Sequence, residues 1–481
     1  MNLGILLGII FGAIPGLTVL LCIVLFLPFT YALAPIPSFM FLLGIYCAGS
    51  YGGSISAIMI RSPGTPHAAA TLLDGAPLAE KGFARKALSA ALIASTIGGI
   101  FSALVLLFTS PLIAKIALKF GPPEYFILCV FGLSIVAGVS GKSLAKGAIS
   151  TAIGLLLAVI GIDIMSGVFR FTFGNYKLYG GFDLVIIVTG LFAISEAFLK
   201  SGYSKHDMKV KVDLAKLNEG EDLSMAEFKT MGKAIARSSL IGVGIGALPG
   251  TGATMASFLS YDQAKKHSKH PEEFGKGSLE GIGAPEAANN AVTGATLIPL
   301  LTLGIPGDAV VAILVGAFMI NGLVPGPNLF VEHPVTMYAL MIGLIFTNIF
   351  MFIQGMLLTK FFAKISVVPI EILTPLIVLL CLTGSYSINH SYFDVFVSVI
   401  IGGISYLMIK FDYSVIPVLL GLVLGPLTET NLRRTLLISK GGLSIFFTRP
   451  ISLLFIVLIS VSLVVILVKR MRSPGKRTVY E

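Results

Sequence analysis

Polar side chains interrupt apolar sequence at two places along the chain. Asn289 and Asn290 lie in the run GAPEAANNAVTGA, where amide N–H groups can donate to a carboxylate and amide oxygens can bind Na⁺. In the first half, GGSISAIM supplies the hydroxyl groups of Ser54 and Ser56, and Thr65 adds another. Buried amides and hydroxyls need partners. We therefore predict that these side chains line a substrate-binding site for a small anion.

Two Pro-Gly pairs recur in the same order in each half of the chain. GAIPGLT at 12–18 resembles GALPGTGAT at 246–254. Further on, GGSISAIMIRSPGTP at 52–66 resembles ATLIPLLTLGIPGDA at 295–309. A single Pro-Gly pair is typical of a turn or a packing kink, since both residues are common in membrane helices. Two ordered pairs indicate an internal repeat.

These pairs predict broken helices. Proline removes a backbone donor and clashes with the preceding turn. Non-helical backbone at membrane depth survives only inside protein or beside a wet cavity. The free N–H groups at the break carry positive dipole character and suit a carboxylate. We predict that two facing hairpin tips bind substrate through Pro63, Gly64, Thr65, Pro306, Gly307 and Asp308.

The outer Pro-Gly pairs predict a second layer of broken backbone. Carbonyl oxygens freed at such a break suit Na⁺, and matched interruptions in two halves are a marker of a transporter's central site. An alternative is that these residues only kink helices for packing. The ion-binding candidates are Pro15, Gly16, Thr18, Pro249, Gly250, Thr251 and Thr254.

Composition predicts that the helices carrying these groups lie in a membrane. Of 481 residues, 55% are hydrophobic and 12% are charged, whereas soluble domains have roughly 25% charged residues. Apolar stretches long enough to cross a bilayer, about 20 residues, recur along the chain, for example at 87–114, 147–169 and 450–468. We predict an all-α polytopic membrane protein with about ten to twelve transmembrane helices of this length.

Charge position indicates sidedness. The net charge of +10 lies mainly in short loops and ends, which argues against nucleic-acid binding. A basic tail after 450–468 predicts a cytoplasmic C-terminus. The polar segment 201–235 indicates a cytoplasmic linker, as do the lysines of 262–284. Only one apolar stretch separates these two segments, so it is either re-entrant or one charge signal is misleading.

The predicted domains follow from the repeat. They are a first transmembrane repeat (1–200), the linker (201–235), a second repeat (236–430) and a C-terminal segment with the last helix (431–481). If each Pro-Gly-broken hairpin is re-entrant, the first half crosses an odd number of times and the repeats are inverted, a common carrier design. If either hairpin is a true crossing, the repeats are parallel. We favour inverted repeats.

The residues at 274–330, FGKGSLEGIGAPEAANNAVTGATLIPLLTLGIPGDAVVAILVGAFMINGLVPGPNLF, and at 52–82 resemble the large membrane subunit of the tripartite tricarboxylate transporters. The resemblance extends from about residue 8 to 430. It implies a binding-protein-dependent secondary transporter that imports di- or tricarboxylates, coupled to Na⁺ or H⁺ without another cofactor. It also implies an inner-membrane location, a small membrane subunit and a periplasmic substrate-binding protein as partners.

Two residues depart from that family's pattern. Arg61 precedes the first inner Pro-Gly pair and Asp308 follows the second. Arg61 either binds a substrate carboxylate, pairs with Asp308, or extends to the membrane surface. Asp308 either binds substrate with its neighbours or holds Na⁺ or a proton. Weaker candidates are Glu286, His67 and Asp163.

Two other functional classes remain open at this stage. An ion channel also uses broken helices, but its selectivity ring is usually repeated by symmetry. An intramembrane enzyme would need a catalytic constellation, and the sequence has neither an HExxH motif nor a phosphate-binding GxxxxGK[ST] loop. We expect no enzymatic activity and no bound metal.

Overall fold

The structure is a computed structural model of the whole chain. The residues that it describes are 1–139, 143–163, 165–201, 222–250, 252–365 and 370–472. Most of the expected linker, the end of the basic tail and the candidate Thr251 therefore lie outside the described residues.

Over the described residues the chain folds mainly into α-helices, and a two-stranded β-hairpin lies at 161–170. The helices of the first half are α1 (Asn2–Ala13), α2 (Val19–Phe26), α3 (Pro35–Ile60), α4 (Ala68–Leu78), α5 (Ala84–Ala117), α6 (Pro122–Val139), α7 (Leu144–Ala158), α8 (Leu184–Val188) and α9 (Ser195–Ser201). The helices of the second half are α10 (Met225–Gly246), α11 (Gly252–His267), α12 (Leu279–Ala295), α13 (Leu297–Leu303), α14 (Ala309–Ile320), α15 (Leu329–Glu332), α16 (Pro334–Ile365), α17 (Ile370–Asn389), α18 (Tyr392–Lys410), α19 (Ile416–Ile438), α20 (Ile445–Thr448) and α21 (Pro450–Arg472).

Several of these helices have the length and composition of membrane spans. Within the described part of the chain, five qualify: 35–60, 68–117, 184–201, 334–359 and 392–410. Shorter apolar helices add to them. The prediction of an all-α polytopic membrane protein is confirmed, and the total of ten to twelve spans stays a prediction.

The helices form two compact units. One comprises Met1–Leu118 with Val185–Tyr406, and the other comprises Lys119–Leu184 with the chain from Leu407 onward. Each unit contains segments from both halves of the sequence, because helices that pack together are not always close along the chain. Every candidate site residue that the structure describes, apart from Asp163, lies in the first unit.

The second unit contains the β-hairpin, with β1 (Gly161–Ile162) antiparallel to β2 (Phe169–Arg170). The predicted apolar stretch 147–169 is therefore not one helix, because α7 ends at Ala158 and Gly161 has a positive φ of 121°. Asp163 lies in the turn of this hairpin. The Ser166 hydroxyl and the Arg433 guanidinium, 2.7 Å away, hold the pKa of Asp163 well below its usual range.

In the first unit, glycines bring helices into close backbone contact. Gly4, Gly8 and Gly12 lie one turn apart on α1, and a Cβ added at any of them would overlap backbone atoms of α3. In the second half, Gly242 of α10 lies against the carbonyl oxygen of Ala288 in α12. Such small-residue spacing is how membrane helices approach closely. Small residues thus bring α1 close to α3 and α10 close to α12.

The helices break where the Pro-Gly pairs predict. Before Pro15, α1 ends at Ala13, since a residue preceding proline avoids the helical conformation. Gly16 and Gly250 both have φ of 83°, a left-handed turn that glycine adopts without strain. The next helix, α2, begins with the Thr18 hydroxyl accepting a hydrogen bond from the backbone N–H of Leu21 at 3.1 Å.

Candidate functional site

A row of polar contacts joins α3 to α12. The hydroxyl groups of Tyr46 and Thr296 lie 3.1 Å apart, and the Asn289 amide Nδ2 donates to the Ser50 carbonyl oxygen at 3.1 Å. Residue numbers that rise along α3 pair with falling numbers on α12, so the two helices are antiparallel. We call this row the polar seam; it comprises Tyr46, Cys47, Ser50 and Ser54 with Glu286, Asn289, Thr293 and Thr296.

Several polar atoms at or near the polar seam are buried and have no hydrogen-bond partner among the residues that the structure describes. Asn290 is fully buried, and both its amide nitrogen and its amide oxygen are unpartnered. The Oδ1 atom of Asn289 and the Oγ1 atom of Thr65 are also unpartnered. A buried unsatisfied polar group costs about 1–3 kcal/mol. These atoms are therefore available to a ligand that supplies both acceptors and donors.

Thr65 lies against α3, where a Cβ added at Gly53 would overlap the Thr65 side chain. The Ser56 hydroxyl donates to the Gly53 carbonyl oxygen at 3.2 Å, and the Gly64 N–H donates to the same oxygen at 3.2 Å. The first inner break therefore folds back onto the helix that precedes it. Ser54, Ser56 and Thr65 are all buried, as the sequence predicts for site residues.

The inner and outer breaks of each half meet. A Cβ added at Gly64 would overlap the carbonyl oxygen of Gly12, at the end of α1. In the second half, the Gly250 N–H donates to the Gly307 carbonyl oxygen at 2.8 Å. Pro306 and Gly307 are buried, and Gly307 lies against Thr296. Non-helical backbone is thus enclosed by protein, as a membrane interior requires.

The outer breaks present different surroundings to a cation. The Gly16 carbonyl oxygen accepts a hydrogen bond from the Lys200 ammonium group, which also pairs with Glu196 at 3.0 Å. The Lys200 ammonium group therefore already satisfies the Gly16 carbonyl oxygen. Pro15 and Pro249 are buried. The side chain of Thr18 caps α2, and Thr254 is exposed on α11.

Asp308 and Arg61 have separate partners. The Asp308 carboxylate accepts the Tyr46 hydroxyl at 2.6 Å and caps α14 by accepting the Val311 N–H at 2.7 Å. Arg61 forms an ion pair with Glu80 at 2.6 Å, and both side chains are more than half exposed. The alternative that Arg61 pairs with Asp308 is therefore wrong. Asp308 joins the polar seam, whereas Arg61 lies at the surface.

Glu286, a weaker candidate from the sequence, has a central position in the structure. Its side chain is fully buried, and its Oε1 accepts the hydroxyl groups of Ser54 and Thr71. Its Oε2 accepts the Ser95 hydroxyl at 2.7 Å. Three helices, α3, α4 and α5, thus supply the donors. The only sequence signal was the ionisable residue within an apolar run.

No pattern in the sequence indicates a role for Asp74. Its fully buried Oδ1 accepts the backbone N–H groups of Gly275 at 2.8 Å, Gly277 at 2.9 Å and Ser278 at 2.8 Å. Its Oδ2 accepts the Tyr261 hydroxyl at 2.9 Å. The carboxylate therefore attaches α4 of the first half to the loop that precedes α12. His67, another weak candidate, has a buried unpartnered Nε2 at the start of α4.

These features define a polytopic all-α membrane protein with a polar interior in which two pairs of broken helices meet. Buried amide and hydroxyl groups can hold a carboxylate through hydrogen bonds. Two interior carboxyl groups, Glu286 and Asp308, can each hold a proton or a cation. Among the described residues, no group of three or more His, Cys, Asp and Glu side chains could hold a metal ion.

The chain belongs to the tripartite tricarboxylate transporter TctA family, whose model matches residues 1–420. It is 38% identical over 478 residues to an uncharacterized 52.8 kDa protein in the TAR-I ttuC' 3' region of Agrobacterium vitis, covering 99% of this chain and 94% of that relative. It is 40% identical over 229 residues to an uncharacterized protein in the TAR-II ttuC' 3' region of the same organism, covering 48% of this chain and 95% of that relative. No solved structure matches it.

Proposed function

We propose that this protein is the large translocating subunit of a binding-protein-dependent secondary transporter. It imports small di- or tricarboxylates, driven by a Na⁺ or H⁺ gradient. Its partners are a small membrane subunit and a periplasmic substrate-binding protein, and it lies in the inner membrane with a cytoplasmic C-terminus. Membership of a transporter family supports the general class. The substrate, coupling ion and partners are the parts that this proposal adds.

The observation that carries the proposal is the set of buried, unpartnered polar atoms near the polar seam. The amide nitrogen of Asn290 can donate to a substrate carboxylate, and the Thr65 hydroxyl can do the same. The substrate would thereby satisfy groups that the protein leaves unpaired. Neutral donors and helix ends would provide the recognition, because Arg61 is engaged with Glu80 at the surface.

The antiparallel packing of α3 against α12 supplies the second support. A shift of 243 positions along the sequence aligns Pro63 with Pro306. The same shift aligns α3 with the segment formed by α12 and α13. The polar seam runs antiparallel between α3 and α12. Equivalent helices point in opposite directions when repeats are inverted and in the same direction when repeats are parallel. We therefore propose inverted repeats, each with a Pro-Gly-broken re-entrant hairpin.

Counterflow in liposomes tests the carrier directly. The purified full chain is reconstituted, loaded with unlabelled citrate, malate or succinate, and supplied with trace amounts of the same compound in labelled form, with and without a Na⁺ gradient. Loss of one amide hydrogen bond to a carboxylate, about 1.5 kcal/mol, weakens apparent affinity about tenfold. We expect that change in N289A and N290A.

The matched control is N389A, because Asn389 is exposed at the end of α17. If N289A and N290A keep the wild-type affinity and Na⁺ dependence, the site is misplaced. Single-channel currents in a planar bilayer would contradict the carrier and favour a channel. Stimulation of uptake by a purified periplasmic binding protein would support the tripartite arrangement, and uptake indifferent to it would contradict that part.

A further inference from the structure

We infer that Glu286 is the residue that takes up and releases the coupling proton of this carrier. The inference rests on the proposed function, since a coupling proton needs a transported substrate. It goes further by selecting H⁺ and naming the group that holds it. Its basis is the geometry around one carboxyl group.

Glu286 is fully buried, and its hydrogen-bond partners among the described residues are all hydroxyl groups. Ser54, Thr71 and Ser95 come from three different helices. No ammonium or guanidinium group in the described part of the chain forms an ion pair with it. A buried carboxyl group in a membrane helix without a cation partner is a functional candidate by default. Packing alone would be served by an apolar residue.

Charged groups on the neighbouring elements have other partners. On α4, Asp74 lies one turn beyond Thr71 and is held by backbone N–H groups. On α5, Lys86 lies nine residues before Ser95, about 13 Å along the helix, and pairs with Glu227 at 2.7 Å. None of them neutralises Glu286.

The remaining surroundings of Glu286 are uncharged or distant along the helix. On α3 the titratable side chains are Tyr46, Cys47 and Tyr51; Tyr46 donates a hydrogen bond to Asp308 and Cys47 to Thr293. Helix α10 faces α12 with Met231 and Ile235, which lie against Gly283. Glu280, near the start of α12, accepts the Ser268 hydroxyl instead. The site is therefore built around one carboxyl group and three hydroxyls.

The spacing of the oxygens favours a proton over Na⁺. The Ser95 hydroxyl lies 2.7 Å from Oε2, within direct hydrogen-bond distance. The hydroxyls of Ser54 and Thr71 are also in direct contact with Oε1. Neighbouring oxygens in the shell of a hard cation usually lie farther apart than a hydrogen bond, because each is more than about 2 Å from the ion. The three hydroxyl groups are thus spaced for hydrogen bonds to Glu286, which suits a proton.

Proton uptake requires only small rotations. In the ionised state all three hydroxyls donate to the carboxylate. When a proton from water binds Glu286, the new O–H donates to one hydroxyl oxygen, whose own proton turns to a carbonyl oxygen one turn back on its helix. For Ser54 that carbonyl belongs to Ser50, which also accepts from Asn289. Protonation of Glu286 is thereby linked to the amide proposed to bind substrate.

Infrared difference spectra of the purified full chain test the proton site without any transport. Between about pH 6 and pH 9, exposed carboxyl groups stay ionised, so a carboxyl C=O band in the difference spectrum reports an interior group. We expect the band in the wild type, its loss in E286Q, and its retention in the matched control E280Q. S95A keeps the carboxyl group and is expected to shift the band's frequency. A band that E286Q leaves unchanged, or a wild type without one, overturns the inference.

Transport supplies the second readout. In liposomes, E286Q is expected to reduce accumulation driven by a pH gradient about tenfold more than it reduces counterflow, because coupling is lost separately from exchange. Equal reduction of both, in protein whose buried cysteines stay protected from maleimide, overturns the inference. If the wild type moves none of citrate, malate and succinate, the proposed function fails, while the infrared result still decides the proton site.

Discussion

Replacing Asp74 tests how strongly the two halves of the chain are attached to each other. Its carboxylate accepts three backbone N–H groups from the loop before α12 and the hydroxyl of Tyr261. D74A removes the acceptor for all of them. D74N keeps one oxygen facing the three N–H groups and replaces the other by an amide nitrogen, which can donate to the Tyr261 oxygen.

The expected losses follow from those contacts. A hydrogen bond to a charged group contributes about 1.5–3 kcal/mol when both partners are buried. That applies to the buried Ser278 N–H, whereas Gly275 is exposed and Gly277 partly so, and water can replace part of the lost acceptor there. D74A should therefore lower the free energy of unfolding by about 3–4 kcal/mol. D74N should lower it by about half as much, since charge roughly doubles such a bond.

The chain provides its own probe of unfolding. Cys22, Cys47, Cys129 and Cys381 are all free and buried, so maleimide labelling across an SDS titration measures the unfolded fraction. D262N is the matched control, because Asp262 is exposed and forms its ion pair with Lys266 one turn away, an interaction of about 0.3–0.5 kcal/mol. The reasoning is refuted if D74A stays within about 1 kcal/mol of wild type, or if D74N loses as much as D74A.

Two further predictions concern the broken helices and the second unit. G64A should sharply reduce the yield of folded protein and its transport activity in liposomes, because the added Cβ overlaps the Gly12 carbonyl oxygen. The control G232A, in open space on α10, should match wild type. Equal yields of the two variants would contradict the close contact of Gly64 with Gly12. D163N should lower the melting temperature at neutral pH. Because the pKa of Asp163 is depressed in the folded state, its stabilisation is present above the unfolded value of about 3.9 and fades as pH falls below it. The difference between D163N and wild type should therefore narrow in acid, and a constant difference would contradict the assignment.

Local sequence was sufficient to predict the helix breaks. Proline and glycine act on their own backbone, and the Pro-Gly pairs at 15–16 and 306–307 lie in helix breaks, whereas single prolines such as Pro77 and Pro285 lie inside helices. Burial of Asn289 and Asn290 was predictable for a similar reason, because they lie within a run of small apolar residues. These predictions needed no knowledge of distant contacts.

The partners of the charged residues could not be predicted in this way. Glu286 meets Ser54 and Ser95, which lie 232 and 191 positions away in the chain. Nothing in the local pattern around Asp74 indicates that it contacts the loop at 275–278. For Arg61 the sequence left an interior role and a surface position open, and the local pattern did not indicate its ion pair with Glu80. Long-range packing decides each of these contacts.

Helix α12 has a consequence for biosynthesis. Fifteen of its 17 residues are buried in protein, and it is not among the five helices apolar enough to span a membrane by themselves. A segment that carries Glu286 and two asparagines is a poor substrate for insertion into lipid, since interior polar groups oppose partitioning. The hydroxyl donors for Glu286 belong to helices made earlier on the ribosome. We therefore expect the first half to be in the bilayer before α12 inserts, and deletion of α3, α4 and α5 to prevent insertion of α12.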